Sequence, residues 1–401
     1  FNDFPQNDFS MSANITEFLQ ETTNGNYLMY NSFGNGVSQL ATQNDAGGSP
    51  NNLITRCNTR NGELLIDLGN LEDFYGINRT VSTEYSVQYG ASSTTVTETS
   101  QAPANQIISI LGASTEIKSN ARMATYHIGP ALNLATLRGL QATLLSEIRT
   151  AHTFVAAASY FSRLAAAGDT THVAYKQPLT NYITSLVELG GAYWDDMLSS
   201  TSFVGVGIEG VTVPLRDGMT VPTQNNFVVG DLDQLTGLKS NGSTKYIDTG
   251  LVGTDLTLND ASWSCNITVA GSYIGVDYLM GSGVNESGAM NFLSVNGVNM
   301  ESRMQAQARS IIYTGSVLNK TGFLGVSRSS SAAFDWQFDS VGGTNAVASN
   351  SPAPTSAFSV FGASNFVSND NRLATYHIGP ALNLATLEGL QDTLITEIAA
   401  I

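Results

Sequence analysis

Two stretches of this chain are near-copies of each other. Residues 122–148 read RMATYHIGPALNLATLRGLQATLLSEI, and residues 372–398 read RLATYHIGPALNLATLEGLQDTLITEI. Ala124 to Leu137 is identical to Ala374 to Leu387, a run of 14 residues. Chance does not produce such a run, so the chain holds a duplicated unit with a spacing of about 250 residues. Weaker matches continue upstream in register. SILGAS at 109–114 pairs with SVFGAS at 359–364, FYGINR at 74–79 with FLGVSR at 323–328, and NDFSMSANIT at 7–16 with NDASWSCNIT at 259–268. Copy 1 is therefore expected over residues 1–148 and copy 2 over 203–401, with 149–202 as a connector. Turn-rich sequence such as SNGSTKYIDTGL precedes the matched part of copy 2 and has no counterpart before copy 1. The N-terminal strands of copy 1 are thus expected to be absent from these residues or supplied by a partner.

Within each copy the pattern is that of short strands. Tyr85, Val87 and Tyr89 alternate with Ser86 and Gln88; Phe334, Trp336 and Phe338 alternate with Asp335 and Gln337. Period two with one apolar and one polar face marks a half-buried antiparallel strand. Ala124, Tyr126 and Ile128 alternate likewise with Thr125 and His127, and the set recurs at 374–378. Gly129-Pro130 then signals a turn, and Asn133 stands where it can cap a helix. Leu134, Leu137, Gln141, Leu144 and Ile148 follow at helical spacing, a stripe suited to docking on a sheet. Residues 149–167 stay Ala-rich and unbroken, and Leu179, Tyr182, Ile183 and Leu186 form a second apolar stripe that ends near Gly190-Gly191. The expected fold is mainly β: two tandem jelly-roll sandwiches, each closed by a C-terminal helix, joined by a helical connector.

Charge narrows the partners. Charged residues make up 12% of the chain and the formal net charge is −16. A nucleic-acid binder needs a basic footprint, so nucleic acid is not an expected partner. No apolar run of about 18 residues occurs, so no membrane insertion through a helix is expected. Cys57 and Cys265 fall at non-equivalent places in the two copies, so both are expected to be free and buried. They also cannot form a cysteine metal cluster.

The search for chemistry finds little. His127 and His377 are repeat equivalents on a polar strand face, and both are expected to face solvent or an interface. No strand carries acids two apart in the E-x-D-x-E manner of a glucanase. Asp335 and Asp339 could share a strand face, and they are expected to be surface carboxylates. No catalytic or metal-binding residue is assigned, and no cofactor is expected. A calcium site built from scattered loop oxygens, such as those of Asp231, Asp233, Asn369, Asp370 and Asn371, stays open as an alternative. Arg79 and Arg328 occupy equivalent places, as do Arg122 and Arg372. In a charge-poor chain each pair is expected to make a repeated salt bridge or backbone clamp. The weak candidates for ligand contact are Asp335, Gln337, His377 and His127.

Three segments carry a family resemblance. SNGSTKYIDTGL (240–251), GFLGVSRSSS (322–331) and the closing RLATYHIGPALNLATLEGLQDTLITEI resemble the concanavalin A-like (laminin-G-like) jelly-roll domains of tailed-bacteriophage virion proteins. YKQPLTNYITSLVELGGAYWDDM (175–197) is similar to the helical segment that precedes such domains. The resemblance covers copy 2 and the connector, and copy 1 in part. It implies a virion structural protein that is not an enzyme: a tail fibre, spike or baseplate-associated adhesin contacting host surface glycans. The implied partners are other virion subunits, and a homo-oligomer such as a trimer is expected. A capsid decoration or head-fibre protein is one alternative. A polysaccharide-degrading enzyme of the glucanase-like fold is another, and it needs two facing carboxylates about 5–10 Å apart.

Overall fold

The structure is a computed structural model. It describes residues 8–17, 26–30, 37–43, 52–59, 64–67, 73–101, 109–110, 122–272, 276–283, 289–295, 299–306, 310–314, 320–349, 354–364, 366–367 and 369–401. Its contacts divide the chain into two compact units, Phe1–Ile148 and Arg149–Ile401.

Unit 1 contains β1 (Phe9–Glu17), β2 (Asn26–Tyr30), β3 (Val37–Gln43), β4 (Asn52–Thr59), β5 (Leu64–Asp67), β6 (Phe74–Arg79), β7 (Glu84–Tyr89), β8 (Ser92–Thr97), β9 (Ser109–Ile110) and β10 (Arg122–Gly129). They form two antiparallel sheets, ordered β10-β1-β6-β7-β8 and β5-β4-β3-β2-β9. Phe9, Met11, Ala13 and Ile15 alternate along β1 and meet Tyr75, Ile77, Tyr85 and Val87. Met29 and Cys57 of the other sheet complete this core. Each such side chain contributes roughly 1.5–3 kcal/mol on burial, which holds the two sheets face to face. Helix α1 (Leu134–Ala166) starts here, and the boundary between the units falls inside it.

Unit 2 contains β11 (Ser199–Ser202), β12 (Thr223–Asn225), β13 (Leu232–Asp233), β14 (Gly237–Lys239), β15 (Tyr246–Val252), β16 (Ala261–Val269), β17 (Val276–Ser282), β18 (Met290–Val295), β19 (Asn299–Met304), β20 (Ser310–Thr314), β21 (Gly322–Arg328), β22 (Phe334–Phe338), β23 (Val341–Asn345), β24 (Ala357–Val360), β25 (Gly362–Ala363), β26 (Phe366–Val367) and β27 (Arg372–Gly379). Its helices are α2 (Lys176–Leu189) and α3 (Leu384–Ala399). One sheet runs β13-β14-β27-β16-β21-β22-β23, with β11 also on β27; the other runs β12-β15-β24-β17-β18-β19-β20. Trp263 of β16 bridges the sheets, packing 5.9 Å from the Phe292 ring and edge-on at 5.7 Å to Phe358.

The duplication is visible strand by strand. The order β10-β1-β6-β7-β8 reappears as β27-β16-β21-β22-β23, and β9-β2-β3-β4-β5 as β24-β17-β18-β19-β20. Register is kept too. Ser10 opposes Gly129 as Ser262 opposes Gly379, and the ladder slips after Asn14 as it does after Asn266. Strands β11 to β15 have no counterpart among the described residues of unit 1.

That difference overturns two expectations. Tyr376 is wholly buried, but its equivalent Tyr126 is 56% exposed. Of the alternating set in unit 1, Ile128 packs on the core while Ala124 and Tyr126 are exposed. The reason is position: β27 is flanked on both sides, whereas among the described residues β10 ends its sheet. The helical stripe behaves likewise. Leu384, Leu387, Gln391, Leu394 and Ile398 are all buried in α3, where α2 packs against it. In α1, Leu134 and Gln141 are buried while Leu144 and Ile148 are exposed.

The paired arginines are backbone clamps, repeated in both units. Arg79 and Arg328 are fully buried. Arg79 Nε donates to the Cys57 carbonyl at 2.8 Å and Nη1 to that of Glu98 at 2.9 Å. Arg328 Nε donates to Met304 O at 3.0 Å, Nη1 to Ser330 O at 3.1 Å and Nη2 to Val347 O at 2.9 Å. Each guanidinium also lies over a ring, Tyr85 at 5.2 Å and Phe334 at 5.5 Å. Arg372 donates to the carbonyls of Asp231 and Gly237; the side chain of Arg122 lies outside the described residues. Both cysteines are buried and unpaired.

Candidate functional site

A groove occurs twice, at repeat-equivalent places. In unit 2 it lies between the outer face of the β22–β23 hairpin and the start of α3, with a volume of about 280 Å³. Asp335, Gln337, Gly342 and Thr344 form one wall, and Leu382 to Ala385 the other. In unit 1 Ser86, Gln88, Ser93 and Thr95 stand at the same register positions opposite Asn133 to Ala135, around about 290 Å³.

The sequence builds this groove through a glycine and a cap. Leu384 of α3 rests on Gly325, where a Cβ would come within 2.9 Å of the leucine and 2.6 Å of the Phe323 ring. Leu134 rests on Gly76 in the same way, at 3.0 Å. Only glycine admits the helix this close to the sheet. Asn383 then accepts the Thr386 N–H at 3.1 Å, and Asn133 the Thr136 N–H at 2.9 Å, fixing where each helix begins. Trp336 has its ring on the other side of the strand, packed on the core.

The two linings differ in chemistry. In unit 2 Glu388, which is buried, accepts from Gln337 Nε2 at 2.7 Å and from the Ser340 N–H at 2.7 Å. Asp335 accepts from the Thr344 hydroxyl at 2.6 Å and remains exposed. Unit 1 has Arg138 where unit 2 has Glu388, the first break in the identical block. Gln88 there turns to the carbonyls of Gly90 and Ser92, both at 2.8 Å. Unit 1 thus presents hydroxyls and amides, and unit 2 adds the exposed carboxylate of Asp335. Asn78, also on the unit 1 groove, has an enclosed side-chain oxygen with no partner.

Of the residues picked from sequence, the structure brings Asp335 and Gln337 together in one groove and leaves both histidines outside it. His377 is buried, which corrects the expectation of a solvent or interface histidine. Residues 149–202 cover this face of β27: the Tyr182 hydroxyl is hydrogen-bonded to Thr375, and Met197 packs near Gly379 beside the imidazole. Burial pushes the His377 pKa down to about 4. His127 is half-buried, its Nε2 3.2 Å from the Ser10 hydroxyl, and burial lowers its pKa as well. Thr344 and Asn383 line the site and were missed, as was the buried Glu388 that holds Gln337 in place. The cross-strand partner of Asp335 and the break in the duplicated block at position 388 were the available signals. The loop oxygens considered for calcium are engaged by protein groups. Asp231 pairs with Lys245, Asn371 Oδ1 accepts the Gly271 N–H at 2.7 Å, and Asp370 Oδ1 accepts the Ser272 N–H at 2.6 Å.

No family model matches the chain, and no curated protein matches it. Solved structures do. One is a structure of botulinum neurotoxin type C whose title states that cell entry depends on interaction with two ganglioside molecules. It is 11% identical over 50% of this chain and 51% of that one, with a TM-score of 0.37. The chain spans about half the length of the botulinum structures it matches. Domains LG4-5 of the mouse laminin α1 chain match over 94% of this chain and 84% of that one, at 8% identity and a TM-score of 0.26. A Trypanosoma rangeli sialidase in complex with the inhibitor DANA matches over 93% of this chain and 53% of that one, at 10% identity and a TM-score of 0.36.

The expectation that the chain is not an enzyme is corrected. The matched structures include an enzyme, the sialidase. In the fold, Asp392 of α3 stands near enough to Asp339 for that charge to help burial raise its pKa, against the lowering effect of the Asn266 amide.

Proposed function

We propose that this chain is a glycan-binding structural component of a tailed-bacteriophage particle, made of two jelly-roll domains in tandem. Its place in the particle is a tail fibre, spike or baseplate-associated adhesin. The observation that carries the binding reading is the recurrence of one polar groove in both units, lined by hydroxyls, amides and a carboxylate held at fixed positions. Sugars present hydroxyls in fixed arrays, and a groove of this chemistry meets them without needing a charged partner. Two grooves on one chain suit weak contacts that gain strength by acting together. The virion assignment rests on the sequence resemblance of residues 175–197, 240–251, 322–331 and 372–398.

A glycan array probed with the full chain, with and without calcium, tests the binding reading. Asp335→Ala with Thr344→Val removes the exposed carboxylate and its hydroxyl partner at the surface. This pair is expected to weaken binding by about tenfold, near 1.4 kcal/mol. Binding that is unchanged by this pair and by Gln88→Ala would show that the grooves are not the site. Antibody labelling of intact particles tests the tail position, and label spread over the capsid would favour the decoration protein instead.

A further inference from the structure

The two units carry the same strand with different surroundings. In unit 2, β11 pairs antiparallel with β27: Ser199 opposes Ile378, Ser200 His377, Thr201 Tyr376 and Ser202 Thr375. The contact is specific. Thr375 Oγ1 donates to Thr201 O at 2.8 Å, Ser200 Oγ to Tyr376 O at 2.6 Å, and the Phe203 N–H to Ala374 O at 2.7 Å. The Ser199 and Tyr376 hydroxyls are 3.0 Å apart, and the Phe203 ring packs 5.7 Å from Tyr376.

Residues 124–129 of β10 are identical to 374–379 of β27. Among the described residues β10 nevertheless ends its sheet, with nothing hydrogen-bonded on the side away from β1. Two further observations mark that edge. Tyr126 is 56% exposed, whereas its equivalent Tyr376 is fully buried. The Thr125 hydroxyl is enclosed and has no partner, while its equivalent on Thr375 bonds to β11. A bare edge with an apolar margin is a template for strand addition.

We propose that β10 is a docking edge for an extended peptide strand of the β11 type. Such a strand has four small hydroxyl-bearing residues followed by an aromatic, and it pairs antiparallel with Thr125–Ile128. Its second hydroxyl residue would bond the Tyr126 carbonyl, its third carbonyl would receive the Thr125 hydroxyl, and its aromatic ring would cover Tyr126. The warrant is that the same residues accept this strand elsewhere in the same chain.

The test adds a synthetic peptide of residues 198–204 (LSSTSFV) to the full chain and follows amide hydrogen exchange. Peptic fragments containing Met123 report on β10 and those containing Leu373 on β27, so the two identical strands are told apart by mass. Saturable slowing of the Met123 fragments by about tenfold is expected, with the Leu373 fragments unchanged. Tyr126→Ala should weaken that protection while leaving exchange in β1 as it was, which separates loss of docking from loss of fold. A peptide that leaves the Met123 fragments unprotected overturns the proposal. So does protection that grows with chain concentration alone, because the edge would then be covered by a second copy.

Discussion

Acid should unfold unit 2 through one histidine. His377 sits in register between Ser264 and Ser200, with Nε2 enclosed and unpartnered. Burial lowers its pKa from 6.5 to about 4. A base whose folded pKa is depressed takes up a proton more readily when unfolded. The stability it allows is therefore present above pH 6.5 and is lost as pH falls toward 4. The full loss is about 3 kcal/mol, at ~1.4 kcal/mol for each pH unit between the two values. At pH 5 the loss is already about 2 kcal/mol, a large part of the ~5–15 kcal/mol that holds an ordinary domain together. That corresponds to a drop in Tm of about 4–8 °C for a unit of this size. Trp194, Trp263 and Trp336 all lie in unit 2, so tryptophan fluorescence reports its unfolding. Urea titrations at pH 7 and pH 5 would be compared for the native chain and His377→Gln. The native chain should lose about 2 kcal/mol more than the variant between the two pH values. Equal losses would mean that His377 is not held neutral by burial, and the reasoning would fail whatever the baseline stability of the variant.

Two further outcomes follow from buried groups. Arg328→Met leaves the carbonyls of Met304, Ser330 and Val347 without their donor, and should cost about 2–4 kcal/mol in urea unfolding; an unchanged midpoint would refute the clamp. Cys57 is buried and its pKa is pushed up to about 12, and burial raises that of Cys265 as well. A thiol-reactive dye should therefore label neither in the native chain at pH 8 and both after denaturation; rapid native labelling would show that a core is open.

The parts of the fold that depend on near neighbours were legible in the sequence. Period-two alternation gave Glu84–Tyr89 and Phe334–Phe338 their faces, and the repeat gave both units one strand order. What could not be read is which faces distant segments cover. Tyr126 and Tyr376 share identical flanks, yet one is exposed and the other buried, because β11 and β14 flank β27 and, among the described residues, no strand does the same for β10. His377 looked like a surface residue for the same reason. The groove was half legible. Asp335 and Gln337 stood out as the polar face of a strand, but Thr344 and Glu388 join them only through hairpin register and helix docking. The paired arginines were the most faithful signal, since a cation kept twice in a charge-poor chain had to be doing the same job twice.

That arginine clamp bears on the loop beside it. Residues 329–333 read SSSAA and are largely exposed, a composition that usually invites proteases. Yet Arg328 holds the Ser330 carbonyl, and the Ser349 N–H donates to Ser331 O at 2.9 Å. The matching turn in unit 1 is tied by Arg79 to Ser82, with the Ser100 N–H on the same carbonyl at 2.7 Å. Both turns are thus tied to the backbone although their residues are exposed. Limited digestion should spare them, and their backbone is already held, so a partner that meets them loses little conformational freedom in doing so.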